Sequence, residues 1–270
     1  AVDESVELCP RKSRGFANAL LRSYLREKPK MPAKEEGELE YLSVKYSTPK
    51  ELCQLFVRDY GDEAEAILAA FLEKKDTAIR VNSLRCDAAE KAAQMGAYKS
   101  EICKDVVFVK SFEGVLDGVE RGDWFVQDEA SALCAQMVGA LSGETVVDTC
   151  AAPGGKSFAA AIAMEGLGQI TSCDVHAHKT GLIANGAARL GLTNITARQQ
   201  DATVNVSEWV EAMDVVIADV PCSGLGIIRK KPDIRYKNLD ELKELPALQL
   251  AILENQSTYV RKGGVLLYST

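Results

Sequence analysis

The sequence predicts an α/β protein whose larger part is a doubly wound, mostly parallel sheet, preceded by a smaller α/β unit and a helical segment. Three observations carry that prediction. From Gly143 onward short apolar strands alternate with helical stretches, the pattern of parallel strands joined by helical crossovers. A run of small residues, Ala151-Ala152-Pro153-Gly154-Gly155, follows the first of these strands. An aspartate stands at the end of each of the next three: Asp174, Asp201 and Asp219.

Taken in order, Gly15 to Arg26 places Phe16, Ala19, Leu20 and Tyr24 at amphipathic-helix spacing, and Pro29 to Gly37 reads as a linker. Residues 1–36 are therefore expected to form a helical remnant plus linker. In residues 37–141, Pro49 to Tyr60, Asp62 to Glu73 and Asp87 to Met95 read as helices. Ala78 to Asn82, Val106 to Val109 and Trp124 to Gln127 read as strands, and Asp128 to Ala140 as a helix with an acidic start. In residues 142–270 the strands are Thr145 to Thr149, Gln169 to Cys173, Ile195 to Gln199, Asp214 to Ala218 and Gly264 to Tyr268. The helices between them lie near Ser157 to Ala163, Lys179 to Leu190 and Pro246 to Val260. No internal repeat or low-complexity stretch interrupts the pattern.

Composition excludes several classes. At 270 residues, 47% hydrophobic and 26% charged, the chain has the make-up of a globular protein with a packed core. No apolar run approaches the roughly 20 residues that cross a bilayer. The first ten residues carry Asp3, Glu4 and Glu7 where a signal peptide is basic and then apolar, so a cytosolic location and no membrane partner are expected. Eight cysteines are scattered without a Cys-x-x-Cys pair, against a zinc knuckle or a disulfide framework. His176 and His178 are the two histidines, and on a helix two residues apart they point to different faces; no metal is expected. A net charge of −7 argues against bulk electrostatic coating of nucleic acid, but basic residues concentrate locally. Arg11, Lys12, Arg14, Arg22, Arg26, Lys28, Lys30 and Lys34 stand against the single acid Glu27. An isolated run of this kind is ordinarily a solvated helix face.

The small-residue loop after the first strand lets a ligand approach main-chain amides before a helix begins near Ser157. Ligands of such sheets bind at the carboxyl ends of the strands. There Asp174 is placed to accept hydrogen bonds from ribose hydroxyls, Asp201 to meet an adenine amino group, and Asp219 to face the reaction centre. Each aspartate alone reads more readily as a cap or turn residue. Together they point to a nucleoside cofactor. A nucleoside triphosphatase is the competing reading, because Gly155-Lys156-Ser157 matches the end of a phosphate-binding loop and Val215 to Asp219 resembles a magnesium-holding strand. Cys150 where that loop needs its first glycine, and Pro153 without an amide, speak against it.

Asp148-Thr149-Cys150-Ala151-Ala152-Pro153-Gly154-Gly155-Lys156 and Asp219-Val220-Pro221-Cys222-Ser223-Gly224-Leu225-Gly226 resemble the cofactor and catalytic motifs of the Sun/RsmB family of RNA (cytosine-5) methyltransferases. Arg80-Val81-Asn82, Val126-Gln127-Asp128-Glu129-Ala130-Ser131 and Lys231-Pro232-Asp233-Ile234-Arg235 resemble further landmarks of that family, so the resemblance covers nearly the whole chain. Val220 departs from the family's usual alanine. The resemblance implies a Rossmann-like, S-adenosylmethionine-dependent methyltransferase core, with cofactor contacts from Cys150 to Lys156, Asp174, Asp201 and Asp219.

Carbon 5 of cytosine accepts a methyl group only after a thiolate adds at carbon 6, so the site needs a cysteine, an acid near ring nitrogen 3 and a methyl donor over carbon 5. From the residues alone Cys222 is the nucleophile and Asp219 the acid, with a buried structural thiol as the bland reading. The resemblance moves the attack to a cysteine directly after Ser269-Thr270 and leaves Cys222 to assist release of the methylated base. It also implies that the chain is cut at both ends. Gly15-Phe16-Ala17-Asn18-Ala19-Leu20-Leu21-Arg22 resembles the last helix of a NusB-like RNA-binding domain, which points to 16S ribosomal RNA of the small subunit as substrate. Residues 37–141 are then an RNA-binding subdomain, and Arg229, Lys230, Lys231 and Arg235, in a basic loop with Lys237, are expected to contact phosphate. A monomer is expected. A non-catalytic RNA-binding or scaffold protein that keeps the cofactor pocket is the alternative from a different class.

Overall fold

The computed structural model describes residues 2–27, 30–111 and 113–270. Lys28 of the basic run and Pro29, where the linker is expected to begin, lie outside the described residues. The chain forms two compact units, and they divide it differently from the three-part expectation: Ala1–Glu73 with Leu225–Lys237, and Lys74–Gly224 with Asn238–Thr270.

The first unit is helical: α1 (Val2–Glu7), α2 (Arg14–Glu27), α3 (Glu38–Lys45), α4 (Lys50–Tyr60) and α5 (Ala64–Ala70). Leu42, Leu52, Cys53, Phe56, Ala64 and Leu68 supply its buried apolar side chains. α2 buries none of its residues, and its expected apolar stripe, Phe16, Leu20 and Tyr24, is exposed. Glu65 gathers Lys34 at 2.8 Å, Lys45 at 2.9 Å and the Tyr46 hydroxyl at 3.0 Å. Arg235 explains why Leu225–Lys237 belongs here. It is 7% exposed, and its guanidinium donates to the carbonyls of Tyr46 (3.3 Å) and Ser47 (2.8 Å).

The second unit holds two sheets. β1 (Thr77–Val81), β2 (Tyr98–Lys99), β3 (Val106–Val109) and β4 (Trp124–Val126) form an antiparallel sheet in the order β2-β3-β1-β4. α6 (Ala88–Gln94) and α7 (Val115–Arg121) cover one of its faces, with Val107, Val109, Val115 and Trp124 between the layers. α7 has no counterpart among the expected elements. Its middle residue is Gly118, where a Cβ would lie 1.9 Å from the Trp124 indole, so the helix reaches the strand only with glycine there. α8 (Glu129–Met137) packs through Ala132 on Ala78 and Val106 of this sheet and also on α9 (Gly155–Ala163) of the next. Asn82, fully buried, donates to the carbonyls of Gly122 and Leu190, stitching the end of β1 to the second layer of helices.

β5 (Thr145–Asp148), β6 (Gln169–Asp174), β7 (Ile195–Gln199), β8 (Met213–Asp219) and β9 (Val260–Ser269) form the parallel sheet in the order β7-β6-β5-β8-β9. Side chains alternate between its faces. Val146, Ile170, Val215 and Ile217 meet Phe158, Ala161 and Ile162 of α9 and Ile183, Ala187 and Leu190 of α10 (Ala177–Leu190). On the opposite face Val147, Cys173 and Val216 pack with Trp209 and Tyr259, while Ala218 and Val220 meet Ile252 of α11 (Leu245–Ser257). Each fully buried Leu, Ile or Val side chain contributes roughly 1.5–3 kcal/mol, so both faces of the sheet are strongly held. β9 begins four residues before the expected Gly264, because a register shift between Met213 and Val215 lets the pairing pass through Gly263-Gly264. Among the described residues no helix is long and apolar enough to cross a membrane.

Candidate active site

The carboxyl ends of β5, β6, β7 and β8 open into one cavity of about 580 Å³. Cys150, Ala152, Asp174, Asp201, Asp219 and Cys222, all named in the sequence analysis, line it. Ala151, Pro153, Gly154, Gly155 and Lys156 do not; they build the turn behind it. Gly154, at φ +114°, is the N-cap of α9, and a Cβ there would lie 2.3 Å from the Phe158 ring. Only glycine allows both the backbone conformation and the contact with the aromatic ring. The Ala151 amide donates to the Cys173 carbonyl at 2.7 Å, tying the loop to β6.

The aspartates differ in surroundings. Asp174 accepts from the His176 amide at 2.9 Å, with the Lys179 ammonium 3.7 Å away. Asp201 accepts from the Thr203 amide (2.9 Å) and hydroxyl (2.7 Å), and those bonds hold its carboxyl below the usual range. Asp219 uses both oxygens: one accepts from Ser269 Oγ at 2.7 Å and the other is 2.6 Å from Lys156 Nζ. Lys156 therefore points its ammonium at Asp219, whereas the sequence reading places it in the cofactor cradle.

The cysteines separate cleanly. Burial pushes the thiols of Cys150 and Cys173 up to about 12, which makes them packing groups. Cys222 is exposed, on a loop whose Pro221 carbonyl accepts from Gln249 Nε2 at 2.8 Å. The same Gln249 amide reaches Thr270 Oγ1 at 3.1 Å, so the end of β9 is held beside the Cys222 loop.

Several lining residues escape the sequence reading. Leu248 and Ile252 come from α11, Val175 and His176 from the turn after β6, Lys179 from the first turn of α10, and Ala202 and Thr203 from the turn after β7. Their signal is position just beyond a strand-end aspartate; the residue types alone carry none. The histidine rings, expected on different faces, lie 5.5 Å apart, because His176 is the extended N-cap of α10 and lies outside its helical turns. Among the described residues no group of three or more His, Cys, Asp or Glu is placed to hold a metal ion. Of the expected phosphate contacts, Lys230 and Lys231 are exposed and Arg229 is half-buried. Arg235 is the correction: its guanidinium is taken up by main-chain carbonyls and is not presented to solvent.

Comparison with known proteins agrees with this architecture. The family model described as 16S rRNA methyltransferase RsmB/F matches residues 135–270. A "Probable ribosomal RNA small subunit methyltransferase B" of Bacillus subtilis is 39% identical over 100% of this chain and 63% of its own length. Its counterpart of the same name in Synechocystis is 33% identical over 94% of this chain and 59% of its own length. The chain thus spans about three-fifths of the length of these curated relatives. The crystal structure of PH0851 superposes with a TM-score of 0.80 at 27% identity, covering 94% of this chain and 60% of that one. A methyltransferase homolog protein from Pyrococcus horikoshii, at 21% identity, shares the fold with a TM-score of 0.71 over 86% of this chain and 76% of its own. The fold is Rossmann-like, of the methyltransferase type, and the chain belongs to the 16S rRNA methyltransferase RsmB/F family.

Proposed function

We propose that this chain carries the catalytic part of an enzyme that methylates carbon 5 of a cytosine in small-subunit ribosomal RNA, with S-adenosylmethionine as the donor. The observation that carries this reading is the single cavity shared by the Asp174 and Asp201 carboxylates and by the Asp219–Cys222 loop. Its volume, about 580 Å³, suits a nucleoside-sized ligand. Asp174 keeps an acceptor for ribose hydroxyls, and Asp201 faces the same space for an amino group. Ala152 leaves room beside them, and Ile252 and Leu248 supply an apolar wall. S-adenosylmethionine, when bound, supplies an electrophilic methyl group.

The chain's own residues supply the rest. Asp219, fixed on both oxygens, accepts from the polar edge of a cytosine, and the Lys156 ammonium beside it is the nearest proton source. Cys222, solvent-open at the cavity, assists removal of the carbon 5 proton so that the methylated base is released. The attacking thiolate is a second cysteine, as the family resemblance implies, and Gln249 donates to both the Pro221 carbonyl and Thr270 Oγ1, which holds the end of β9 beside the Cys222 loop. Arg229, Lys230 and Lys231 contact phosphate. We read the enzyme as a metal-free monomer acting in the cytosol.

The phosphate-binding alternative loses support from the geometry. Ser157, the residue such a loop would use on magnesium, is fully buried and donates to Asp148 at 2.7 Å, and Lys156 is committed to Asp219. Titration calorimetry decides between the two: binding of S-adenosylhomocysteine is expected, whereas tight magnesium-ATP binding without it would overturn the proposal. In the full product of the gene, Cys222→Ala is expected to accumulate a covalent protein–RNA adduct, seen as a slow band on denaturing gels. Loss of adduct in that variant would instead make Cys222 the nucleophile.

A further inference from the structure

We propose that Ser131 is a positioning residue for the reaction: from a helix outside the parallel sheet it fixes the Lys156 ammonium and, through it, the Asp219 carboxylate. This inference rests on the methyltransferase reading above. Ser131 sits in the first turn of α8, the helix that comes after the antiparallel sheet and packs on α9. Its hydroxyl accepts from Lys156 Nζ at 3.3 Å, and that ammonium lies 2.6 Å from Asp219 Oδ2. Ser269 donates to the other Asp219 oxygen at 2.7 Å. A line of four side chains, Ser131, Lys156, Asp219 and Ser269, therefore crosses the reaction centre, drawn from α8, α9, β8 and β9.

The Lys156 ammonium ends a flexible four-carbon stem and carries three donors, so one carboxylate alone fixes its distance but leaves its direction free. Lys156 is 8% exposed, and a buried ammonium is costly unless acceptors replace water. A second acceptor on rigid α8 meets that need and selects one rotamer. The carboxylate that pairs with it then keeps one orientation toward the substrate base. The same segment supports the turn from below, since Gln127 is buried against Gly155, where a Cβ would lie 3.2 Å from its Nε2. The segment from Gln127 to Ser131 thus carries the antiparallel sheet's influence into the reaction centre, although it contributes nothing to the lining of the cofactor cavity.

The test uses the full product of the gene with Ser131→Ala and Ser131→Thr. Misplacement of a reacting group by about 1 Å costs on the order of a hundredfold in rate, so Ser131→Ala is expected to lower kcat by about ten- to a hundredfold. KM for RNA, affinity for S-adenosylhomocysteine and thermal midpoint should stay near wild type, and Ser131→Thr, which keeps the hydroxyl, should recover most of the rate. Unchanged kcat in Ser131→Ala overturns the inference. So does a loss of kcat that runs in parallel with lost S-adenosylhomocysteine affinity and a lowered midpoint, because that is what a merely structural role predicts. A wild-type protein that methylates no RNA overturns the functional reading and this inference together, whereas an active wild type matched by Ser131→Ala overturns this inference alone.

Discussion

Asp148 and Asp174 end neighbouring strands of one parallel sheet, yet they live in different chemical worlds. Asp148, at the end of β5, is fully buried; Ser172 Oγ donates to Ser157 Oγ at 2.7 Å, which in turn donates to Asp148 at 2.7 Å. Burial above all pushes its carboxyl up to about 7, with the Ser157 hydrogen bond opposing the shift and the nearby Asp219 charge adding to it. Asp174, at the end of β6, opens on the cavity with a main-chain amide and a lysine beside it. The difference lies in the loop after each strand. Beyond β5 the chain folds back through Gly154 into α9, whose Ser157 holds the carboxylate; beyond β6 it turns at His176 and leaves the Asp174 carboxylate, only 7% exposed, in the cavity wall. An acid at a strand end can meet a ligand only where the next loop leaves a path to it.

The largest effect is expected at Asp148. Below the ordinary carboxylate range the group is protonated in both folded and unfolded chains. From there up to about 7 the folded chain keeps a proton that the unfolded chain has released, so stability falls as pH rises through that window and levels off above it. Asp148→Asn removes this dependence. Denaturant unfolding at pH 5 and pH 8 should show the wild type losing on the order of 2 kcal/mol more than the variant. An equal loss in both would mean that the buried carboxyl does not titrate in this window.

Next comes the cavity wall. Asp174→Ala should weaken S-adenosylhomocysteine binding by about ten- to a hundredfold, the cost of a charge-assisted hydrogen bond of about 1.5–3 kcal/mol, while leaving the pH dependence of stability in place. Calorimetry that finds Asp148→Asn more damaging to binding than Asp174→Ala would invert the assignment of the two strand ends. The smallest effect belongs to Lys179. Its ammonium stands 3.7 Å from Asp174 and is 40% exposed, so Lys179→Ala should change the affinity by less than about fivefold, and by less still in high salt.

Much of this is legible in the sequence. Ile195–Gln199 and Val106–Val109 match the expected strands residue for residue, because a short alternating or continuous run of apolar and β-branched residues bounded by turn residues is a local signal. The aspartates and Cys222 can be found because they sit at the ends of such strands. α7 escapes, since Gly118 at its centre weakens any helical pattern and is there for the sake of Trp124, which lies beyond the helix in the chain. The two-residue strand β2 and the short helix α1 are likewise too brief to leave a periodic trace. Arg235 is easily misread with its basic neighbours, since nothing in Lys231-Pro232-Asp233-Ile234-Arg235 reveals that the carbonyls of Tyr46 and Ser47 are waiting for it.

The longer strands and helices in their order along the chain, the small-residue turn before α9 and the acids at the strand ends are written locally, since they depend on residues close together in the chain. Only the tertiary structure decided which acid is sealed and which is open, and that Lys156 serves Asp219 and does not line the cavity. It also brought a serine of α8 and a serine of β9 to the two ends of that ion pair. Those are matters of burial and of partners 25 to 63 residues apart in sequence. A side chain's chemistry is set by what displaces water from it, and that is known only when the distant segments have packed.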